Sequence, residues 1–159
     1  MSATTYKLVS REEALLWRRD LAGLLVFTNG VFDLLHPGHV EYLEAARALG
    51  DHLLVALNTD NSARSLRKGP GRPIAGELAR ARVVAGLAAV DRVVLFDQPT
   101  PQSLVESLRP DVLVKGGDYA YEAMIGTEAV EAGGGRVVIV PLQPGYSSTA
   151  LVERCRAAT

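Results

Sequence analysis

The chain has 159 residues, one cysteine and a formal net charge of −1, so we expect residues 1–159 to form a single domain without a disulfide framework or a thiolate zinc site. The near-neutral charge argues against general binding to nucleic acid or to a membrane surface. Because the amino terminus lacks the apolar region of a signal peptide, and the apolar stretches 21–27 and 83–90 fall far short of the roughly 20 residues of a membrane helix, we expect a cytoplasmic location.

Helix and strand signals alternate along the chain. A capping box formed by Ser10 and Glu13 predicts a helix over residues 10–21, and the continuous apolar run 24–28 suits a buried parallel strand. The later predicted elements are a helix that begins near His36, a strand over 52–57, a helix over 77–90, a strand over 92–96, a helix over 100–108 with Thr100 as its N-cap, a strand over 112–115, a helix over 121–132, a strand over 136–140 and a helix over 149–157. This alternation predicts an α/β fold with a doubly wound parallel sheet, in which ligands bind beyond the carboxyl ends of the strands.

The segment 27–39 carries the strongest functional signal. It leads from the first buried strand through a loop to His36 and His39, which lie three residues apart at the start of a helix and therefore point the same way. Gly38 between them leaves the backbone open to a ligand, and the amino end of a helix attracts phosphate. A single histidine here is more often a loop or cap residue, but the pair in this setting favours a phosphate site.

Three other segments are candidates for the same site. Residues 61–82 are rich in arginine and lysine and are interrupted by glycine and proline, which fits either a mobile loop that closes over phosphates or an ordinary solvated loop. The run Ser147, Ser148 and Thr149 opens the last predicted helix, where a hydroxyl can cap the helix, hold a phosphate, or both. The run 115–118 follows a strand beside the predicted switch point, where a nucleotide or sugar contact is expected.

These motifs resemble a known enzyme family. The His-x-Gly-His pattern in its Gly-Val-Phe-Asp-Leu-Leu context resembles the cytidylyltransferase-type nucleotidyltransferases, which join a phosphorylated small molecule to a nucleoside monophosphate taken from a triphosphate. The string 109–119 is similar to that of the adenylyltransferases acting on D-glycero-β-D-manno-heptose 1-phosphate, as are segments 26–33, 58–60, 72–73, 90–91, 95–97 and 100–101. This resemblance extends from about residue 24 to residue 156.

The resemblance implies a Rossmann-like nucleotidyltransferase fold and transfer of AMP from ATP to the heptose 1-phosphate, with Mg²⁺ accompanying ATP and no protein metal ligands assigned. It also implies a homodimer and a stand-alone form that depends on a separate sugar kinase. His36, His39 and Lys68 are the implied catalytic residues, and the implied nucleotide- or phosphate-binding residues are Thr28, Asn29, Gly30, Phe32, Asp33, Gly38, Arg72, Lys115, Gly116, Gly117, Asp118, Ser147, Ser148 and Thr149. Asp33 is expected either to orient a histidine or to serve the magnesium ion.

Two alternative functions remain open at the level of sequence. One is a sister enzyme that uses CTP and another small phosphate, such as glycerol 3-phosphate, because base choice depends on pocket contacts that a sequence does not display. The other is a nucleotide-binding regulator without catalysis. The presence of His36, His39, Lys68 and the hydroxyl run 147–149 argues against this second alternative.

Overall fold

The computed structural model describes residues 4–66, 69–117, 125–142 and 144–158. Within these residues the strands are β1 (Leu8–Val9), β2 (Leu25–Gly30), β3 (His52–Asn58), β4 (Arg92–Phe96), β5 (Val112–Gly116) and β6 (Arg136–Val140). The helices are α1 (Arg11–Asp20), α2 (Pro37–Arg47), α3 (Asp60–Ser65), α4 (Glu77–Ala85), α5 (Gln102–Leu108), α6 (Thr127–Ala132) and α7 (Ser148–Ala157). No helix in this described part of the chain has the length and apolar character that crossing a membrane requires.

All the strand pairs of the sheet are parallel, and the spatial order is β1-β4-β3-β2-β5-β6. The chain runs outward from β2 through β3 to β4 and then returns to β5 on the opposite side of β2. Val26 of β2 therefore pairs with Leu53 on one side and with Val112 on the other. This reversal confirms the predicted doubly wound sheet and places its switch point between β2 and β5.

The core lies on both faces of the sheet because helices cover both. One apolar cluster contains Val26 and Val55 together with residues of α2 and α4 such as Leu43 and Val84. The other cluster lies on the opposite face and contains Leu25, Phe27, Leu54 and Ala56 with residues of α1, α5 and α6. Successive residues of a strand point to opposite faces, so a strand covered on both sides reads as an unbroken apolar run. The runs in β2 and β3 have this cause.

Several predicted elements are confirmed in detail. The capping box of α1 is present: Glu13 N–H donates to Ser10 Oγ at 3.1 Å, and Ser10 N–H donates to the Glu13 carboxylate at 2.7 Å. The strands predicted over 92–96 and 136–140 have those bounds in the structure, and the strands predicted over 24–28, 52–57 and 112–115 differ by one or two residues.

Other elements differ from the prediction. The helix predicted over 77–90 ends at Ala85, where Gly86 forms the cap. Pro101, and not Thr100, is the N-cap residue of α5. The helix predicted over 121–132 begins at Thr127 because Gly126 adopts a φ of 96°, and residues 121–124 lie outside the described residues. Helix α3 lies in the segment that was expected to be a loop, with Thr59 accepting a hydrogen bond from Ser62 N–H as its N-cap.

Candidate active site

A cavity of about 280 Å³ opens beyond the carboxyl end of β2. Its walls come from four parts of the chain: the β2–α2 loop, the first turn of α2, α3 with the segment after it, and the first turn of α7 with its lead-in. The described lining residues are Val31, Phe32, Asp33, His36, Gly38, His39, Ala63, Arg72, Pro73, Leu142, Tyr146, Ser147, Ser148 and Thr149. The fold therefore brings together the His-x-Gly-His motif, Arg72 and the hydroxyl run 147–149, which were predicted separately.

The two histidines form a stacked pair at the amino end of α2. His36 is the N-cap residue, and His39 N–H donates to the His36 carbonyl at 2.9 Å. Their ring centroids are 3.8 Å apart with an interplanar angle of 21°. The ring of Phe32 lies 5.3 Å from His39, and the ring of Tyr146 lies 6.0 Å from His36. Aromatic rings on both sides fix the orientation of the imidazole pair.

The environment of His36 favours its neutral form. Burial lowers the pKa of His36 below its usual value, although a backbone hydrogen bond opposes this effect. A second positive ring stacked at this distance would add repulsion. The Nδ1 atom of His36 is buried and has no hydrogen-bond partner among the described residues. A buried polar atom without a partner is costly, so its position at the cavity wall fits a site built to receive a ligand.

Gly38 allows two walls of the cavity to approach each other. A Cβ atom on Gly38 would lie 3.0 Å from the Cβ atom of Tyr146 and 3.2 Å from Nδ1 of His36. Both distances are tighter than ordinary van der Waals contact. The glycine expected to leave room for a ligand thus also lets the lead-in to α7 pack on the first turn of α2.

The amino end of α7 faces the same cavity as the amino end of α2. Ser147 is the N-cap residue of α7, and its Oγ accepts a hydrogen bond from Ala150 N–H at 3.3 Å. Ser148 Oγ donates to the carbonyl of Leu34 at 3.0 Å, which ties α7 to the β2–α2 loop. Thr149 is exposed and lines the cavity. Two helix amino ends at one cavity create a positive potential suited to a polyphosphate.

Asp33 holds Arg72 at the cavity. Its carboxylate accepts hydrogen bonds from Arg72 Nε at 2.6 Å, from Ile74 N–H at 2.8 Å and from Ala75 N–H at 2.9 Å. Burial raises the pKa of the Asp33 carboxyl, but the N–H groups of Ala75 and Ile74 and the charge of Arg72 together hold it below its usual value. Asp33 therefore anchors the segment 72–75, which is neither of the two roles considered from the sequence.

Three of the remaining predicted residues lie along the adjoining ends of β2 and β5. The Thr28 side chain is fully buried, and its Oγ1 lies 2.6 Å from the Tyr42 hydroxyl and donates to the carbonyl of Val114 at 3.0 Å. This hydroxyl is part of the packing below the cavity and does not line it. Lys115 Nζ donates to Asn29 Oδ1 at 2.5 Å, which links the two strands across the switch point.

Glycines end both strands at the switch point. A Cβ atom on Gly30 would lie 2.8 Å from the Phe32 ring, and one on Gly116 would lie 2.8 Å from the Leu142 side chain. Gly117 has a φ of 107° and its N–H donates to the carbonyl of Val140 at 3.1 Å. These glycines shape the strand ends beside the cavity. Lys68 and Asp118 lie outside the described residues.

Sequence reasoning missed the roles of Tyr146 and Arg80. Tyr146 lines the cavity beside His36, and its position between Gly145 and the hydroxyl run was the available signal. Arg80 was grouped with the loop-like basic segment 61–82, but it is 1% exposed. Arg80 lies four residues before the buried Val84 on α4 and therefore on the same helix face, which could have indicated burial.

Comparison with known proteins agrees with this geometry. A family model described as cytidylyltransferase-like matches residues 27–154. The chain is 55% identical over 152 residues to the bifunctional protein HldE of Koribacter versatilis, covering 93% of this chain and 31% of that protein. It is also 55% identical over 139 residues to the bifunctional protein HldE of Hyphomonas neptunium, covering 87% of this chain and 28% of that protein. The chain thus spans about a third of the length of these curated relatives.

Solved structures give the same result for the fold. The lipopolysaccharide core biosynthesis protein of Thermoplasma volcanium superposes with a TM-score of 0.64 at 31% identity, over 77% of this chain and 98% of that chain. A pantoate-β-alanine ligase of Francisella tularensis superposes with a TM-score of 0.59 over 94% of this chain and 76% of that one, but its 12% identity shows the fold alone. Since the family match extends from β2 through both histidines and into α7, the chain belongs to the cytidylyltransferase-like family.

Proposed function

We propose that the chain transfers AMP from ATP to the phosphate of D-glycero-β-D-manno-heptose 1-phosphate, giving ADP-heptose and pyrophosphate. The observation that carries the proposal is the meeting of the stacked histidines, Arg72 and the amino ends of α2 and α7 at one cavity. Membership of the cytidylyltransferase-like family makes the chain a nucleotidyltransferase. The choice of heptose 1-phosphate as the substrate is supported by the motif resemblance over 109–119 and by identities above 50% to the HldE proteins.

The reaction needs positioning and charge stabilisation more than a general base. The second pKa of a phosphate monoester is about 6, so the attacking oxygen is largely ionised at neutral pH. This oxygen attacks the α-phosphorus of ATP, the bond between the α-phosphorus and the bridging oxygen to the β-phosphorus breaks, and pyrophosphate leaves with that oxygen. The protein has to align the two phosphates and stabilise the charge that develops between them.

The residues at the cavity have chemistry suited to these tasks. An imidazole can donate a hydrogen bond from its ring N–H, and we assign His36 and His39 to the α-phosphate, with His39 contacting the transition state. The amino end of α7, with Ser147, Ser148 and Thr149, is assigned to the β- and γ-phosphates, where helix N–H groups stabilise negative charge. Arg72 is assigned to the same charges, and we retain Lys68 in the neutralising role that the resemblance implies.

Magnesium enters this proposal with the substrate. The described residues contain no group of three side chains suited to hold a metal ion, and the Asp33 carboxylate is already engaged by Arg72 and two backbone N–H groups. These side chains therefore do not fit a resident magnesium site. Mg²⁺ usually binds through substrate phosphates with several waters, and we propose that it accompanies ATP in that form.

A pyrophosphate-release assay tests the function directly. ATP, CTP, GTP and UTP are each paired with heptose 1-phosphate and with glycerol 3-phosphate. We expect ATP to exceed CTP, and heptose 1-phosphate to exceed glycerol 3-phosphate, each by at least tenfold in kcat/KM. Each tenfold preference corresponds to about 1.4 kcal/mol of differential transition-state stabilisation. Faster release with CTP and glycerol 3-phosphate would overturn the heptose assignment but keep the nucleotidyl transfer. Nucleotide binding without release in any pair would favour the regulatory alternative.

We also propose that the chain forms a homodimer, as the resemblance implies, and that it acts in the cytoplasm. The molar mass in solution, measured by light scattering after size-exclusion chromatography, tests the dimer. A mass equal to that of one chain at assay concentrations would contradict it.

A further inference from the structure

Arg80 is a buried cation that the reaction as proposed does not use. Its side chain is fully enclosed, and its guanidinium donates four hydrogen bonds. Nε donates to the carbonyl of Ala75 at 2.9 Å, and Nη1 donates to the carbonyl of Val31 at 2.6 Å. Nη2 donates to the carbonyl of Asn58 at 2.9 Å and to the carboxylate of Asp60 at 2.8 Å.

Two partners of Arg80 connect it to the cavity, since Val31 lines it and Ala75 binds Asp33, which also lines it. Val31 is the first residue after β2, and Asn58 is the last residue of β3. Ala75 donates its N–H to Asp33 and gives its carbonyl to Arg80. The guanidinium thus joins the ends of two neighbouring strands to the segment 72–75, which carries Arg72.

These contacts form one continuous network. Asp33 follows Val31 in the β2–α2 loop and binds Arg72, Ile74 and Ala75. Arg80 also binds this part of the chain, through the carbonyls of Val31 and Ala75. The segment 72–75 is therefore bound by two anchors, the carboxylate of Asp33 and the guanidinium of Arg80.

The geometry requires an arginine. The guanidinium group is planar and has five N–H donors in a fixed arrangement, whereas lysine presents three rotatable donors on a single nitrogen. A single ammonium group cannot donate to all four partners of Nε, Nη1 and Nη2, which are three carbonyls and one carboxylate. Replacement by lysine would leave buried carbonyl groups without donors, which is unfavourable.

We propose that Arg80 is a positioning residue that acts through Arg72: it holds the segment 72–75 against the ends of β2 and β3 so that the Arg72 guanidinium faces the phosphate-binding cavity. This inference rests on the proposed function in that it takes the ligand of Arg72 to be a polyphosphate. The arginines of the basic segment 61–82 then have different roles: Arg80 is an interior anchor and Arg72 lies at the cavity. Arg82 lies on the surface, where it donates to Thr5 Oγ1 at 3.0 Å.

The test is a double-mutant cycle read by calorimetric binding of inorganic tripolyphosphate, which needs no turnover. We expect Arg80→Lys to weaken tripolyphosphate binding about tenfold, the size expected for disturbing a hydrogen bond to a charged group. In an Arg72→Ala background the same substitution should have almost no further effect, because the residue it positions is absent. The matched control is Arg82→Lys, an exposed arginine of the same helix, which should leave binding unchanged.

A purely structural role predicts a different pattern. In that case Arg80→Lys would lower the thermal unfolding temperature but leave the affinity of the folded protein for tripolyphosphate unchanged. Alternatively, it would weaken that affinity equally with and without Arg72. Either result overturns the proposal. If Arg80→Lys fails to fold by circular dichroism, Asp60→Asn replaces it in the cycle, with an expected loss of about threefold, as for weakening a partly exposed ion pair, that again depends on Arg72.

The design separates this proposal from the proposed function. Wild-type chain that binds tripolyphosphate but catalyses no pyrophosphate release would contradict the enzymatic assignment, while the cycle would still decide the role of Arg80. Wild-type chain that does not bind tripolyphosphate would contradict both.

Discussion

The imidazole of His39 stands in the first turn of α2, between the ring of Phe32 and the stacked ring of His36. Its neighbours restrict the ring to one orientation, so a hydrogen bond from it to a phosphate would need little rearrangement. Such preorganised donors act on the charge that develops in the transition state. At the scale of single residues, this is the property that distinguishes His39 from an exposed histidine.

We expect His39→Ala to lower kcat by about 10²–10³-fold, as for the loss of a preorganised donor, while nucleotide binding is largely kept. Steady-state pyrophosphate release and ATP titration measure the two quantities. The matched control is His52→Ala, because His52 binds the carbonyl of Ala22 and does not line the cavity. More than about a tenth of the wild-type kcat in the His39 variant would contradict the assigned role.

Asp33 makes the stability of the fold depend on pH. Its pKa is lower in the folded state than the value of about 3.9 expected for an unfolded aspartate. The contribution of Asp33 to the free energy of unfolding is therefore fully present above about pH 4 and is lost as the pH falls through the folded pKa. We expect Asp33→Asn to be less stable than wild type at pH 7 and the difference to shrink below about pH 4, as measured by urea unfolding at each pH. A difference that stays constant down to pH 3 would contradict this assignment.

The roles of some single residues could be predicted from the sequence, and those of others could not. The pairing of His36 with His39 follows from their spacing on one helix, so a local pattern predicted it. The roles of Asp33 and Arg80 depend on partners about 40 and 50 positions away in the chain, such as Ile74 for Asp33 and Val31 for Arg80. Neither pairing leaves a local signature, and the sequence therefore could not assign them.

Among the secondary-structure elements, the approach of α7 to α2 decides the shape of the cavity. Ser148 binds the Leu34 carbonyl, and Tyr146 packs against Gly38. The amino ends of both helices thus face one space, and the positive potential of each adds to that of the other. The sequence predicted each helix start from its own motif, but the distance between the two depends on how Gly38 packs.

We expect Gly38→Ala to displace the lead-in to α7, because its Cβ atom would lie 3.0 Å from that of Tyr146. The KM for ATP should rise about tenfold, with a smaller change in kcat, since a displaced phosphate-binding element weakens binding in both the ground and transition states. The matched control is Gly133→Ala at the end of α6, where the nearest atom to a new Cβ would be 3.4 Å away. An unchanged KM in the Gly38 variant would show that α7 tolerates the added methyl.

The boundaries of the elements were predicted less well than their order. The capping box of Ser10 and Glu13 gives α1 a chemical start signal, and the prediction was correct to within one residue. Helix α3 has six residues and lies in a basic segment next to glycine and proline, so its composition favoured a loop. β1 has only two residues, and it pairs with the distant strand β4, with Leu8 opposite Val93. Its existence depends on that pairing.

For the whole molecule, stability rests on the sheet and its two apolar clusters. Leu54 lies in the centre of β3 and is fully buried, whereas Leu16 on α1 is 53% exposed. We expect Leu54→Ala to lower the free energy of unfolding by about 2–5 kcal/mol, as for other buried leucines, and Leu16→Ala to change it by less than about 0.5 kcal/mol. Chemical unfolding in urea measures both. Similar losses from the two substitutions would contradict the described packing.

The architecture was predictable because the sheet is parallel and covered on both faces. Such strands read as continuous apolar runs between helical patterns, as Leu53 to Leu57 do in β3. The sequence predicted a doubly wound sheet but not the order of its strands. That order could not be predicted because the placement of β5 beside β2 depends on long-range pairing such as Val26 with Val112. The fold class alone was enough to predict where the site lies, because ligands of doubly wound sheets bind at the switch point.

The light packing of α7 has a consequence for amide hydrogen exchange. No residue of α7 is fully buried, although its amino end forms one wall of the cavity, whereas most residues of β2 and all but the first of β3 are buried. Backbone amides open most readily where few apolar contacts hold them, so those of α7 should exchange with deuterium much faster than those of β3. A bound polyphosphate would slow this exchange by holding the amino end of the helix. Part of the binding energy of the polyphosphate would then go into ordering α7, and the helix would loosen again when the polyphosphate dissociates.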